Sequence, residues 1–345
     1  MKILYGVCGI GNGHIFRQLP QILTYLKDGH QLVIFGYQES YLFFKKMESQ
    51  YSNLKVLKVS VPYLVGNTEG LDLEESLRLE VNEQPHFQIN TLAMLETKNA
   101  IGTPDLVVSD YEPIAAQYAY MTGATLHTFD QQSKFLFGDF PHEINGCTYA
   151  DEIERLRLFF PKANKRIIAS FFDFKMKAVP EGEEVTIVRP PMSERTMRIK
   201  AENGKYSCKK EVLIYLSPQL PHSQALSLVR RLFEYCTPWA REGYQFNCYL
   251  PRSLYAEVSK ETTPLNIYTI GQPSYDEHLA SCSGIISTAG HGLLSEAVYL
   301  NKRVLAISLD LYEQQLNGKM IEEMGAGIHT SIRNLKQNDL DRFLI

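Results

Sequence analysis

The sequence predicts a doubly wound α/β architecture built twice, as two domains facing a central cleft. Three observations carry this expectation. Short apolar β-type runs alternate with helical stretches along the chain, and buried parallel strands read as continuous apolar runs of this kind. The rhythm stops once, between about 189 and 210, and then starts afresh. The length of 345 residues suits two domains of about 100–200 residues each. Composition agrees: 44% hydrophobic and 21% charged residues are ordinary for a globular chain and exclude long disorder, collagen-like and low-complexity architectures. A formal charge of -4 and a pI near 6.2 leave no global basic field for nucleic acid.

The elements follow in order. Residues 2–8 are an apolar strand, and 15–27 carry helical periodicity through Ile15, Leu19, Ile22, Leu23 and Leu26. Strands follow at 31–35 and 54–61, then a helix-rich acidic stretch over 72–98. Pro104 to Asp110 is the next strand, 113–122 a helix, and 124–129 and 166–171 continue the pattern. Tandem prolines, a charge-rich run and Asn203-Gly204 make 191–210 the linker between domains 1–190 and 211–345. The second series places strands at 211–216, 245–249, 266–270, 284–287 and 303–308. Helices separate them at 223–236, 274–281, 292–300 and 312–324. Two Rossmann-like halves put their ligand site at the carboxyl ends of their sheets.

No apolar run approaches the roughly 20 residues that span a bilayer. The lysine and short apolar stretch at the N-terminus are broken by Gly11-Asn12-Gly13-His14, so no signal-peptide core forms. Six scattered cysteines, Cys8, Cys147, Cys208, Cys236, Cys248 and Cys282, include no CxxC pair. They read as reduced core thiols of a cytoplasmic protein, neither a disulfide framework nor a zinc site.

Gly9-Ile10-Gly11-Asn12-Gly13-His14 follows the first strand and opens the first helix. Glycines there let the backbone turn and approach a ligand, and a helix N-terminus offers N–H groups to an anion. The dinucleotide fingerprint fails twice: His14 stands where GxGxxG needs its third glycine, and Phe35-Gly36-Tyr37-Gln38 lacks the ribose-gripping acid. What remains is a histidine on a glycine turn, with Arg17 one helical turn later. His14 is either a catalytic group of the cleft or merely a polar residue at a helix start. Asp110, ending a buried strand in Ser109-Asp110-Tyr111-Glu112-Pro113, is suited to orient a histidine, or else caps the helix after Pro113. His127 and Asp130-Gln131-Gln132 end the next strand and are candidates for the acceptor side.

The most informative stretch is Ser287-Thr288-Ala289-Gly290-His291-Gly292-Leu293-Leu294-Ser295-Glu296-Ala297. Strand, glycine turn and helix again build an anion site. Glu296, one turn into that helix, can accept hydrogen bonds from a ribose diol. Glu313, Gln314 and Gln315 after the next strand suit sugar hydroxyls, and Asn317 and Met324-Gly325-Ala326-Gly327 follow. The alternative is a βα turn whose glycines serve packing alone.

Taken in this order, the motifs resemble GT-B glycosyltransferases, in particular the branch with the N-acetylglucosaminyltransferase that makes lipid II and the plant-type and antibiotic UDP-sugar transferases. Those families carry an N-terminal glycine loop ending in Gly-His, a C-terminal glycine turn followed by Ser/Thr-Glu, and an acidic-Gln-x-x-Asn segment before a Gly-x-Gly. The resemblance covers nearly the whole chain, with specific matches at 9–17, 104–113 and 284–327. It implies that Gly290, His291, Gly292 and the N–H groups of Leu293 and Leu294 hold the donor diphosphate. Glu296 would hold the ribose, and Glu313, Gln314 and Gln315 would line the transferred sugar. His14 would be the base for the acceptor hydroxyl or a contact to the donor phosphate, on the loop of Gly9, Gly11, Gly13 and Arg17, and Asp110 is the acid placed to support it. Ala289-Gly290 stands where many relatives have Gly-Gly.

The implied reaction is inverting and metal-independent: no DxD motif stands at a predicted cleft position, Asp339-Leu340-Asp341 being near the end of the sequence. The donor would be a nucleoside-diphosphate sugar, UDP-linked by resemblance, used as substrate with no cofactor. The acceptor would be a glycan, a lipid-linked sugar or a small molecule, in bacterial glycan or glycoconjugate synthesis. Aromatic and basic residues at Tyr41 to Lys46 and at 158–166 suit either an ordinary helix with apolar residues in the core and lysines in water, or peripheral contact with the inner face of a membrane. The rivals are a sugar-nucleotide hydrolase or 2-epimerase on the same fold, and a non-catalytic nucleotide-sugar-binding protein.

Overall fold

A computed structural model describes residues 1–179, 181–202, 210–217 and 220–345. The chain divides into two compact units, Met1–Ser193 and Glu194–Ile345. The turn expected at Asn203-Gly204 and the thiol of Cys208 lie outside the described residues.

The first unit runs β1 (Lys2–Val7), α1 (Asn12–Lys27), β2 (Gln31–Gly36), α2 (Gln38–Met47), β3 (Leu54–Lys58), a short hairpin β4 (Val65–Gly66) and β5 (Leu71–Asp72), α3 (Leu73–Leu77), α4 (His86–Ile101), β6 (Leu106–Asp110) and α5 (Pro113–Thr122). It continues through β7 (Leu126–Asp130), α6 (Lys134–Phe137), a hairpin β8 (Glu143–Ile144) and β9 (Cys147–Thr148), α7 (Ala150–Phe159), β10 (Lys165–Ala169) and β11 (Glu184–Val188). Seven strands form one parallel sheet in the order β11-β10-β7-β6-β1-β2-β3. Strands one and two bury five of their six residues each, as central strands covered on both faces must. Ile3, Tyr5, Ile34 and Val108 pack with Ile15 and Ile22 of α1 in one core. Each such apolar side chain contributes about 1.5–3 kcal/mol on full burial.

The second unit runs α8 (Glu194–Ala201), β12 (Glu211–Tyr215), α9 (His222–Arg241), β13 (Gln245–Leu250), α10 (Arg252–Val258), β14 (Leu265–Thr269) and α11 (Ser274–Ser281). After these come β15 (Gly284–Thr288), α12 (His291–Tyr299), β16 (Arg303–Ser308), α13 (Tyr312–Glu323), β17 (Gly327–Ser331) and α14 (Gln337–Leu344). Its parallel six-stranded sheet has the order β14-β13-β12-β15-β16-β17. Both sheets therefore reverse direction beside their first strand, between β1 and β6 and between β12 and β15. Those switch points are where open α/β sheets leave a crevice for ligands.

Several elements differ from expectation. The stretch 191–210 read as linker contains helix α8. Strands β11 and β17 are unanticipated; both are sheet edges, as are β3 and β14, which the sequence pattern does place. The aromatic-basic segments split: Phe44 and Phe160 are buried, while Leu42 and Leu158 are exposed. Cys8, Cys236, Cys248 and Cys282 are buried thiols and Cys147 is half-buried. Among the described residues no helix is long and apolar enough to cross a membrane.

Candidate active site

In the first unit the site is assembled at the ends of neighbouring strands. Val7 of β1 stands in register with Asp110 of β6, and the Cys8 amide donates to the Asp110 carbonyl at 3.0 Å. The glycine loop then turns away. A side chain at Gly9 would meet the Tyr37 carbonyl oxygen at 2.0 Å, so this glycine is required by packing. Gly11, with φ 74°, takes a backbone conformation that L side chains rarely adopt and precedes α1. A side chain at Gly13 would meet nothing within 4 Å.

This turn brings His14 to Asp110, with Nδ1 at 3.1 Å from Oδ1. Arg17 donates through Nη2 to the same carboxylate oxygen at 2.5 Å and lies 2.8 Å from His14 Nδ1. His14 Nδ1 and Arg17 Nη2 thus converge on one Asp110 oxygen, and Nε2 is the ring nitrogen outside this cluster. Asp110 is fully buried, whereas the His14 side chain retains 13% exposure, so the histidine is the accessible member. The Tyr111 ring stacks beside His14 at 6.4 Å. Burial and the Arg17 charge disfavour the imidazolium, but the neighbouring Cys8 sulfur and the Asp110 carboxylate favour it, and His14 is lifted from 6.5 to about 10. Burial pushes the Asp110 carboxyl up, Arg17 and His14 pull it down more strongly, and it lies below its ordinary value. An accessible histidine on a buried carboxylate is an arrangement that can serve as a base with its orienting partner.

The alternative duty for Asp110, capping the helix after Pro113, belongs to Glu112 instead. Its buried carboxylate accepts from the Ile114 and Ala115 amides, both at 2.8 Å. Burial pushes Glu112 up to about 7 against those two donors. Asp130 is also held locally, by the Ser133 amide at 2.6 Å and hydroxyl at 3.0 Å. Lys134 donates to Gln131 at 3.0 Å, and Gln132 is buried. His127 lies within β7, where burial and Lys165 lower its pKa.

In the second unit, β15 ends at Thr288, whose hydroxyl accepts from the Ser217 amide at 3.2 Å. Gly290 precedes α12, and no side chain caps the helix. The Leu294 amide donates to the Gly290 carbonyl at 3.3 Å. It is therefore taken up as the first i−4 bond of the helix, which distinguishes it from the first-turn amides of Gly292 and Leu293. A side chain at Gly290 would meet only the Thr288 carbonyl, at 3.9 Å, so packing gives no reason for that glycine. His291 is buried, and its carbonyl accepts from the Ser295 hydroxyl at 2.6 Å.

Glu296 faces a partner that local sequence patterns do not reveal. Its Oε1 accepts from Thr196 Oγ1 at 2.8 Å and Arg195 Nη2 at 3.0 Å, both on α8. The spacing of Thr196 and Ile199, both buried, is the helical signal that tandem prolines overshadow. Gln314 accepts from the Leu309 amide and Gln315 donates to the Leu309 carbonyl, each at 3.0 Å. The two side chains thus brace the loop after β16. Asn317 donates to the Ala289 carbonyl at 3.1 Å and to Glu313 at 3.4 Å, tying α13 to the glycine turn. Among the described residues no three His, Cys, Asp or Glu side chains group as a metal site.

The sequence profile of glycosyl transferase family 1 matches residues 1–345. The chain belongs to that family. This glycosyltransferase shares its fold with solved structures of the GT-B type. Arabidopsis thaliana UGT89C1 complexed with UDP superposes with a TM-score of 0.67 at 12% identity, covering 99% of this chain and 89% of that one. The glycotransferase of kitacinnamycin gives 0.66 at 12% identity over 99% and 89%. SnogD from Streptomyces nogalater gives 0.59 at 14% identity over 100% and 90%. No curated protein sequence matches this glycosyltransferase.

Proposed function

We propose that this glycosyltransferase is inverting and metal-independent, moving a sugar from a UDP-linked donor to an acceptor hydroxyl in bacterial glycan or glycoconjugate synthesis. The observation that carries this reading is the His14–Asp110 pair, an accessible imidazole held at 3.1 Å by a buried carboxylate. His14 Nε2 takes the proton from the acceptor hydroxyl as its oxygen attacks the anomeric carbon. The bond from that carbon to the diphosphate oxygen breaks, and its electron pair leaves with the nucleotide. The N-terminus of α12 at Gly290 to Leu293 receives the charge, since a helix N-terminus stabilises an anion without a metal. Glu296 holds the ribose diol. Glu313, Gln314 and Gln315 shape the sugar side, the two glutamines through the loop they brace.

The donor is tested by thermal stability with UDP, dTDP, GDP and ADP at millimolar concentration. A nucleotide at one hundred times its Kd stabilises the folded protein by about 2.7 kcal/mol. A shift with UDP that disappears in Glu296→Ala supports the donor reading; a shift with another nucleotide changes the donor, and none with any of them removes it. Products from UDP-sugars with glycan, lipid-linked and small-molecule acceptors then report the anomeric configuration by NMR. Retained configuration, or loss of transfer in EDTA, overturns the mechanism.

A further inference from the structure

The ribose-side carboxylate is not left to itself. Glu296 sits on α12, and its Oε1 receives two hydrogen bonds from consecutive residues of α8, Arg195 at 3.0 Å and Thr196 at 2.8 Å. Arg195 is anchored in turn: Nη1 lies 3.1 Å from Asp276 on α11, and its guanidinium stands 5.5 Å from the Tyr275 ring centre. Three helices of the second unit therefore meet at one carboxylate. Among the described residues Oε2 of Glu296 accepts no hydrogen bond, and the side chain keeps 21% exposure. One oxygen is held and the other is presented.

We infer that Arg195 and Thr196 are positioning residues of the donor site, holding Glu296 Oε1 so that Oε2 is set for the ribose hydroxyls before the nucleotide arrives. This rests on Glu296 being the ribose carboxylate. An unsupported glutamate on a helix surface samples several rotamers, and freezing it on binding weakens affinity. A carboxylate already fixed by a guanidinium and a hydroxyl avoids that cost, and charge-assisted bonds make the arrangement stiff. Neither residue needs to touch the nucleotide.

The test is calorimetric titration of UDP with steady-state kinetics on the full chain. Arg195→Ala and Thr196→Val are each expected to weaken UDP about five- to tenfold, the loss of one hydrogen bond to a charged group. The same loss falls on the donor KM and not on kcat, and Arg195→Lys recovers part of it. In a Glu296→Ala background neither substitution has a further effect, because the group they position is gone. Thr196→Val is nearly isosteric and guards against a folding defect at Arg195. Lower thermal stability with UDP affinity unchanged in both variants makes the contacts structural only and overturns the inference. So does full additivity with Glu296→Ala. If Glu296→Ala leaves UDP affinity unchanged, or no nucleotide binds the unaltered protein, the donor reading fails and this inference with it. If Glu296→Ala weakens UDP but the α8 variants do not, the inference alone fails.

Discussion

In the proposed mechanism His14 acts as a base beside a carboxylate that favours its protonated form. With its pKa lifted to about 10, the neutral imidazole is the minor species near pH 7, and it is also a stronger acceptor for a hydroxyl proton. The rate is therefore expected to climb with pH well beyond 6.5. Asp110→Asn removes the charge, so the inflection in the pH profile of kcat/KM moves down while the plateau falls by about 10²–10⁴-fold. An inflection that stays in place in that variant removes Asp110 as the partner. The same pair affects stability. A histidine whose folded pKa exceeds its unfolded value adds stability that is fully present below 6.5 and lost as pH rises to about 10. Urea denaturation at pH 6 and at pH 10 is expected to show this loss in the native protein and a smaller one in His14→Gln.

At the scale of elements, two glycines separate ligand geometry from packing. Gly9→Ala drives a methyl to 2.0 Å from the Tyr37 carbonyl and is expected to destabilise the first unit whatever ligand is present. Gly290 has φ -74° and open space around a new methyl, so Gly290→Ala is expected to keep its melting temperature and lose UDP affinity. Unchanged binding in that variant would mean that the diphosphate does not approach this turn. The cap of α5 gives a further measurement. Glu112, raised to about 7, binds its proton more tightly folded than unfolded, so stability falls as pH rises from 4.5 to about 7. Glu112→Gln flattens that interval in denaturation curves. These helices show what a sequence discloses. Strand, glycine turn and helix are local patterns, and His14, Gly290 and Glu296 are legible from them. Arg195 and Glu296 stand 101 residues apart, and nothing in either neighbourhood points to the other.

For the whole molecule, two units with separate sheets and cores are expected to unfold in two calorimetric transitions. UDP is expected to raise the one belonging to Glu194–Ile345 more; a rise confined to the other would place the nucleotide elsewhere. The doubly wound class was readable throughout, because central parallel strands must be apolar on both faces. Of the edge strands, β3 and β14 were legible, whereas β17 holds a single large apolar residue, Ile328, and β11 is flanked by the acidic 181–184 run and the prolines at 190–191. The repeated strand order has a practical consequence. In both sheets the candidate residues gather at the carboxyl ends of strands, with Asp110 closing β6 and Gly290 following β15. On the proposed assignment, exchanging residues 289–299 and 309–317 together with α8 is expected to change the donor while the His14–Asp110 contact stays, because all three segments belong to Glu194–Ile345.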